Sequence, residues 1–120
     1  MAGASEHLAQ FDHNLGVADR LADSSDFDWA VTAFFYAALH FTQAYLSTRD
    51  VIVASHGQRD RVMRNTAELV SILHSYRTLR DESEHARYEC RSYSREEYET
   101  IRSTHFAMVV DHMRGLTGGN

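Results

Sequence analysis

The sequence contains no proline among its 120 residues. Proline disrupts helix interiors and is common in loops, so its absence favours a chain that is mostly helical with short connections. A chain of this length forms a single domain, which we place at residues 1–120, with about 5–116 ordered and short flexible termini. The sequence therefore predicts an all-α fold, an up-and-down bundle of roughly four to five helices.

Apolar residues recur at three- and four-residue steps, the spacing of one helical face. Ser5 is expected to cap the first helix, and the turn-forming cluster Asp23–Asp26 to end it and to cap the second. The second helix is apolar on nearly all sides, which predicts that neighbouring helices, or a second copy of the chain, cover it. Within it, His40 is expected to be a hydrogen-bonded core residue.

A loop is expected between Ser47 and Gln58, followed by a short helix over Arg59–Arg64. The third long helix is predicted to begin at Asn65-Thr66. Its apolar stripe consists of Leu69, Ile72, Leu73, Tyr76 and Leu79 and continues through Ser83, Ala86 and Cys90. Ser94 and Glu97 form a capping box that opens the fourth helix. Its core side is expected to include Tyr98, Ile101, Phe106, Met108, Val109 and Met113, and its end to fray over Leu116–Asn120.

The formal charge of −5 argues against a protein that coats nucleic acid through cation–phosphate contacts. All twelve positive residues are arginines, a pattern that arises from compositional bias or from a need for bidentate anion binding. The single cysteine, Cys90, excludes an intramolecular disulfide. We also find no HExxH pair, no phosphate-binding glycine loop and no Cys/His ligand cluster, so the sequence predicts neither a metal nor a cofactor.

Two segments bear on targeting and on membrane association. Met1–Glu6 lacks the basic start and the apolar run of a signal peptide. Trp29–Leu46 is about as long as a membrane span, but it contains His40 and Gln43 and is better explained as a core helix. We therefore expect a cytoplasmic protein that does not associate with membranes.

The polar run Tyr76–Tyr88 holds the residues best suited to chemistry. Arg80, Asp81 and His85 place a permanent cation, a carboxylate and a group that titrates near neutrality within two helical turns. The same pattern is typical of a solvated helix surface with Arg80–Glu84 and Asp81–His85 pairs. Because Arg80 and His85 are five residues apart, they point about 140° away from each other on one helix. A composite cleft between two copies would bring them together.

The order of features resembles the HEPN domains of prokaryotes, from about Leu8 to Met113. The residues that carry this resemblance are the aromatic-rich Ala33–His40, His56-Gly57-Gln58-Arg59, Tyr76-x2-Leu79, and Ser83-x2-Ala86-Arg87-Tyr88. Many members of that family are metal-independent ribonucleases with an R-x4-6-H motif, which Arg80-Asp81-Glu82-Ser83-Glu84-His85 matches.

The resemblance implies a homodimer that cleaves RNA and leaves 2′,3′-cyclic phosphate ends. His85 would serve as general base or acid, Arg80 would stabilise the phosphorane, and Asp81 would orient either of them. The expected substrate-binding residues are Arg77, Arg87, Tyr88, His56 and Arg59. Such a protein would be a toxin or a defence factor.

Two alternatives follow from the same residues. Some HEPN members are binding modules, so the chain is alternatively a non-catalytic helical domain that binds an antitoxin, a nucleotidyltransferase, a nucleotide or RNA. The arginine cluster also fits an anion sensor without chemistry.

Overall fold

The computed structural model describes residues 2–117. In that range its regular secondary structure is entirely helical. In chain order they are α1 (Ala4–Asp23), α2 (Phe27–Thr48), α3 (His56–Arg64), a 3₁₀ turn (Val70–Ile72), α4 (Leu73–Tyr88), α5 (Arg95–Ile101), a π segment (Arg102–Phe106) and α6 (Ala107–Thr117). The predicted all-α helical bundle is confirmed. The predicted fraying of Gly118–Asn120 lies outside the described residues.

Helices α1 and α2 form a hairpin with a three-residue connection. Gly3, not Ser5, occupies the N-cap of α1, and its amide donates to the Glu6 carboxylate at 3.0 Å. The helix ends where predicted, because Ser25 adopts a left-handed conformation (φ 61°) and Asp26 N donates to the Leu21 carbonyl. This hydrogen-bond pattern satisfies the last carbonyls of the helix.

Helix α2 lies at the centre of the bundle, as its all-round apolar character predicts. Its Phe34 ring stacks on Phe106 and on Tyr98, with centroid distances of 4.4 and 5.3 Å. Trp29 is an exception, because just over half of it is exposed (55%). Among the described residues, no helix is both long and apolar enough to cross a membrane.

The region between α2 and α4 differs from the sequence expectation. Helix α3 begins at His56, three residues earlier than predicted, with Ser55 Oγ accepting from the Gln58 amide. The third long helix begins at Leu73, not at Asn65-Thr66, because residues 65–69 form turns before the 3₁₀ segment. Thr66 therefore bonds its own local backbone, through Oγ1 to the Val62 carbonyl at 2.6 Å, and does not cap a helix.

The apolar stripe of α4 is buried as predicted through Leu79 and Ser83. It does not continue to Cys90, which is exposed and lies just beyond the helix in a left-handed conformation (φ 56°). Beyond this turn, the predicted Ser94–Glu97 capping box opens α5.

Helices α5 and α6 continue into one another through the π segment, where the sequence predicts one regular helix. Five of the six predicted core residues of this region are buried: Tyr98, Ile101, Phe106, Val109 and Met113. Met108 is the exception and is 54% exposed. A π segment shifts the phase of all following side chains, which regular helical spacing does not anticipate.

Candidate functional site

Arg80 points toward α3, where it forms an ion pair with Asp60. Its Nη1 donates to Asp60 Oδ2 at 2.8 Å, and Arg77 Nε donates to the same oxygen at 3.3 Å. The side chains of Arg80 and Asp60 are 19% and 13% exposed. Burial opposes the charge of Arg80, but the hydrogen bond and the negative charge of Asp60 outweigh it and raise the pKa of Arg80.

Asp81 and His85 lie nearer to solvent than Arg80. Asp81 is exposed and its carboxylate is 4.0 Å from Arg80 Nε. His85 Nδ1 forms a 2.8 Å hydrogen bond with the Glu89 carboxylate. The expected Arg80–Glu84 and Asp81–His85 pairs are wrong, because Asp60 and Glu89 take these positions. Asp81 therefore contacts Arg80 and not His85.

The two motif residues do not meet within one chain. Arg80 faces α3 through Asp60, whereas His85 is half-buried and bonded to Glu89 at the end of α4. This divergence agrees with the roughly 140° expected from their five-residue spacing. A site that uses both residues needs a second copy of the chain.

His56 and Arg59, the two predicted binding residues of α3, differ in accessibility. Arg59 is buried (8% exposed); its Nη2 donates to Gln43 Oε1 at 3.2 Å, while its Nε is buried without a hydrogen-bond partner. His56 is exposed at the first turn of α3. Partial burial of its ring and the positive charges of Arg59 and Arg80 lower the pKa of His56, so it is mostly neutral at pH 7.

Arg87, next to Tyr88 at the end of α4, contacts Tyr36, which is not among the predicted site residues. Arg87 Nη1 donates to the hydroxyls of Tyr36 and Tyr88, at 3.2 and 3.1 Å. Its guanidinium carbon lies 5.6 and 4.8 Å from the centroids of these two rings. Tyr88 is 74% exposed. We call Tyr36, Arg87 and Tyr88 the tyrosine–arginine cluster.

The charge of the chain is unevenly distributed. Residues 56–91, which include α3 and α4, hold seven arginines against six acidic residues. The remaining residues hold five arginines against eleven acidic residues. The net negative charge thus lies outside the region that contains every predicted site residue, which reduces the repulsion that a polyanion would meet there.

Several partners of the predicted residues were missed from the sequence, and three of them show why. Glu89 is four residues after His85, so helical i to i+4 spacing was a usable signal. Asp60 lies in a different helix from Arg77 and Arg80, and Tyr36 lies 51 residues before Arg87. No local pattern reveals such long-range pairs.

A second group of polar residues lies beside the π segment. His105 Nδ1 is 3.1 Å from Ser75 Oγ, and its ring meets that of His74 edge-on at 5.9 Å. These residues line an open cleft of about 530 Å³ together with Met108 and Asp111. Burial, followed by the adjacent His74, lowers the pKa of His105. Across the described residues, no three His, Cys, Asp or Glu side chains are placed to bind a metal ion.

Comparison with known proteins adds no assignment. No family model, no curated protein and no solved structure matches this chain. The fold and the site define an all-α helical bundle with an arginine-rich face on α3 and α4.

Proposed function

We propose that this protein is a metal-independent RNA endonuclease of the HEPN type, with a composite active site between two copies of the chain. His85 of one copy acts as general base on a ribose 2′-hydroxyl or as general acid toward the leaving 5′-oxygen. Arg80 of the other copy stabilises the charge of the phosphorane. The products are a 2′,3′-cyclic phosphate and a free 5′-hydroxyl. The resemblance to HEPN domains makes a toxin or a defence factor the proposed role.

The observation that carries this proposal is the hydrogen bond between His85 and Glu89. A carboxylate on Nδ1 orients the imidazole and leaves Nε2 for a substrate proton, and the His85 side chain is accessible at 42% exposure. A histidine held in this way by a carboxylate is a common arrangement for acid–base catalysis.

Asp60 supplies the second part of the proposed site. It holds Arg80 at 2.8 Å and fixes the direction of the guanidinium. Oriented charges stabilise a transition state better than mobile ones, because they need no reorganisation during the reaction. Arg77 shares the Asp60 oxygen and adds positive charge beside Arg80.

A second candidate function is a non-catalytic module that binds a protein partner, such as an antitoxin or a nucleotidyltransferase. The observation that favours it is the exposure of Tyr88 beside Arg87, since tyrosine and arginine are enriched at the centres of protein interfaces. In that case the Asp60–Arg80 ion pair only joins α3 to α4.

The test is cleavage of a mixed-sequence RNA in EDTA by wild type, by His85→Ala and by His13→Ala, with the fragment ends analysed. His13 is the matched control, an exposed histidine on α1. We expect wild type and His13→Ala to cut and to leave cyclic phosphate ends. We expect His85→Ala to lose about 10²–10⁴-fold in rate, the usual contribution of general acid–base catalysis.

The composite site is tested by sedimentation, which gives the oligomeric state of each sample, and by mixing two inactive variants. Mixing inactive Arg80→Gln with inactive His85→Ala should restore part of the activity, because a mixed dimer contains one site with both native residues. A monomer that still cleaves, or a mixture that recovers nothing while both variants dimerise, contradicts the composite site. If wild type cuts no RNA in EDTA, the non-catalytic module becomes the better explanation.

A further inference from the structure

Arg87 is fixed at each of its nitrogen atoms. Its Nε and Nη2 donate to the carbonyl and the hydroxyl of Ser83, each at 3.2 Å. Ser83 is fully buried, and its hydroxyl donates in turn to the Arg80 carbonyl at 2.9 Å. The Nη1 bonds to Tyr36 and Tyr88 complete this arrangement. A guanidinium held in advance loses little side-chain entropy when it binds an anion.

The charge of Arg87 has no local counter-ion. All of its hydrogen bonds go to neutral oxygens, and among the described residues no carboxylate lies within ion-pair distance. Arg77, Arg80 and Arg91, by contrast, each pair with a carboxylate. The positive charge of Arg87 is therefore available to an anion from outside the chain.

The two tyrosines add hydrogen-bond donors beside this cation. Each hydroxyl accepts from Arg87 Nη1, so each keeps its own O–H hydrogen to donate. One N–H of Nη2 also remains, because a guanidinium has five and the described bonds use four. Several donors around one cation suit the oxygens of a phosphate.

Tyr88 also offers an aromatic surface. Arg87 lies over one face of its ring at 4.8 Å, and 74% of the residue remains exposed. Its other face is therefore free to stack on a ring from outside the chain. An accessible ring beside a fixed cation matches the pairing of base stacking with phosphate binding in proteins that bind single strands.

We propose that the tyrosine–arginine cluster binds one unpaired nucleotide of RNA, with the base stacked on Tyr88 and the phosphate bound by Arg87 and the two tyrosine hydroxyls. This inference rests on the proposed function and specifies its substrate as single-stranded. Bases inside a duplex are stacked on each other and cannot offer a face to Tyr88. Tyr36 thereby becomes a binding residue.

The test measures equilibrium binding of a short mixed-sequence RNA in which every ribose is 2′-O-methylated. This modification removes the attacking hydroxyl, so binding is measured without cleavage. The same RNA is offered as a single strand and as a blunt duplex at several salt concentrations. The proteins are wild type, Tyr88→Ala, Tyr88→Phe and Arg87→Gln, with Arg64→Gln as the matched control because Arg64 is an exposed arginine on α3.

We expect wild type to prefer the single strand and Tyr88→Ala to weaken that binding about tenfold, the scale of one lost base stack. Tyr88→Phe keeps the ring and should bind more tightly than Tyr88→Ala. Arg87→Gln should reduce the slope of log affinity against log salt by about 0.7, the value for one phosphate contact to a single strand. A substitution that only perturbs structure would not change this slope. Arg64→Gln should bind the single strand as wild type does.

Two results overturn the inference: equal binding of single strand and duplex, or wild-type RNA affinity in Tyr88→Ala. If Tyr88→Ala keeps its RNA affinity but loses self-association, the cluster is a protein-docking surface. Cluster-dependent binding by a protein that cuts no unmodified RNA supports the site and contradicts the endonuclease. If Tyr88→Ala cleaves unpaired RNA at the wild-type rate, the result is consistent with the endonuclease and contradicts nucleotide binding by the tyrosine–arginine cluster.

Discussion

The two sides of α2 are built from different interactions. Toward α5 and the π segment, Phe34 stacks on Tyr98 and Phe106. Toward α3, Gln43 bonds to the buried Arg59, and toward the end of α4, Tyr36 bonds to Arg87. We call these the aromatic side and the polar side of the helix.

The difference separates stability from function. Apolar contacts stabilise in proportion to the area they bury and tolerate many sequences of similar volume. Buried charges are costly unless paired, so a fold gains little by placing Arg59 where its Nε has no partner. We therefore expect the aromatic side to contribute mainly stability, and we place the candidate chemistry on the polar side.

Truncation of the aromatic side should have the largest effect. Phe34 is fully buried, so we expect Phe34→Ala to lower the free energy of unfolding by about 3–5 kcal/mol through lost burial and a new cavity. Trp29→Ala is the control on the same helix, because Trp29 is mostly exposed, and should cost about 1 kcal/mol or less. Urea denaturation measures both. Equal losses would mean that the stack does not dominate stability.

The Asp60 carboxylate provides the next largest effect. Asp60→Ala removes the acceptor of both Arg77 and Arg80 and should cost about 2 kcal/mol, since a largely buried charge loses its partner. Asp81→Ala is the matched control: it removes the second carboxylate near Arg80, which is exposed and 4.0 Å away, and should cost about 0.5 kcal/mol or less. Urea denaturation compares the two variants. If Asp60→Ala and Asp81→Ala lowered the free energy of unfolding equally, the Asp60–Arg80 ion pair would behave like a solvent-exposed one.

Sequence periodicity was sufficient for the fold and insufficient for the site. Apolar spacing located α1, α2 and the buried stripe of α4, because each of these depends on residues a few positions apart. It placed the start of the third long helix too early, because Leu69 and Ile72 are buried from a turn and a 3₁₀ segment and imitate helical spacing. The π segment was not predicted, because the apolar spacing of this region also fits one regular helix.

The candidate site depends on contacts between distant residues. The sequence supplied Arg80, His85, Arg87 and Tyr88 as residue types in one helix. It could not show that Asp60 holds Arg80, because this contact joins two helices across a loop whose geometry no local pattern fixes. The phase of α4 was nevertheless sufficient to predict that Arg80 and His85 diverge.

Replacement of the buried arginine tests the polar side directly. Arg59→Met keeps an unbranched, flexible side chain, although a shorter one, and removes a buried charge whose Nε has no hydrogen-bond partner. We expect the free energy of unfolding to stay the same or to rise by about 1 kcal/mol, as for other buried charges replaced by apolar residues. Asp60 should be unaffected, because it pairs with Arg77 and Arg80. A loss above about 2 kcal/mol would show that Arg59 stabilises the bundle.

The smallest effect concerns pH and the contact between α1 and α2. His7 and His40 share a 2.9 Å hydrogen bond between their Nδ1 atoms, which requires one of these nitrogens to be unprotonated. Burial lowers the pKa of both rings below 6.5; the charge of Arg59 adds to this for His7, and the nearby His7 ring adds to it for His40.

As the pH falls through 6.5, these two histidines bind protons in the unfolded chain but stay unprotonated in the folded chain, because their folded pKa values are lower. The free energy of unfolding should therefore fall as the pH drops through 6.5 and should level off below the folded pKa values. His40→Asn removes one of these groups and should make the fall shallower, whereas Gln10→Ala, an exposed change on α1, should leave its steepness unchanged. His56 and His105 have pKa values lowered in the same direction, so part of the dependence should remain in His40→Asn. Thermal denaturation between pH 5 and 8 measures the three slopes. A wild-type protein that gains stability on acidification through this range would contradict the half-buried, neutral pair.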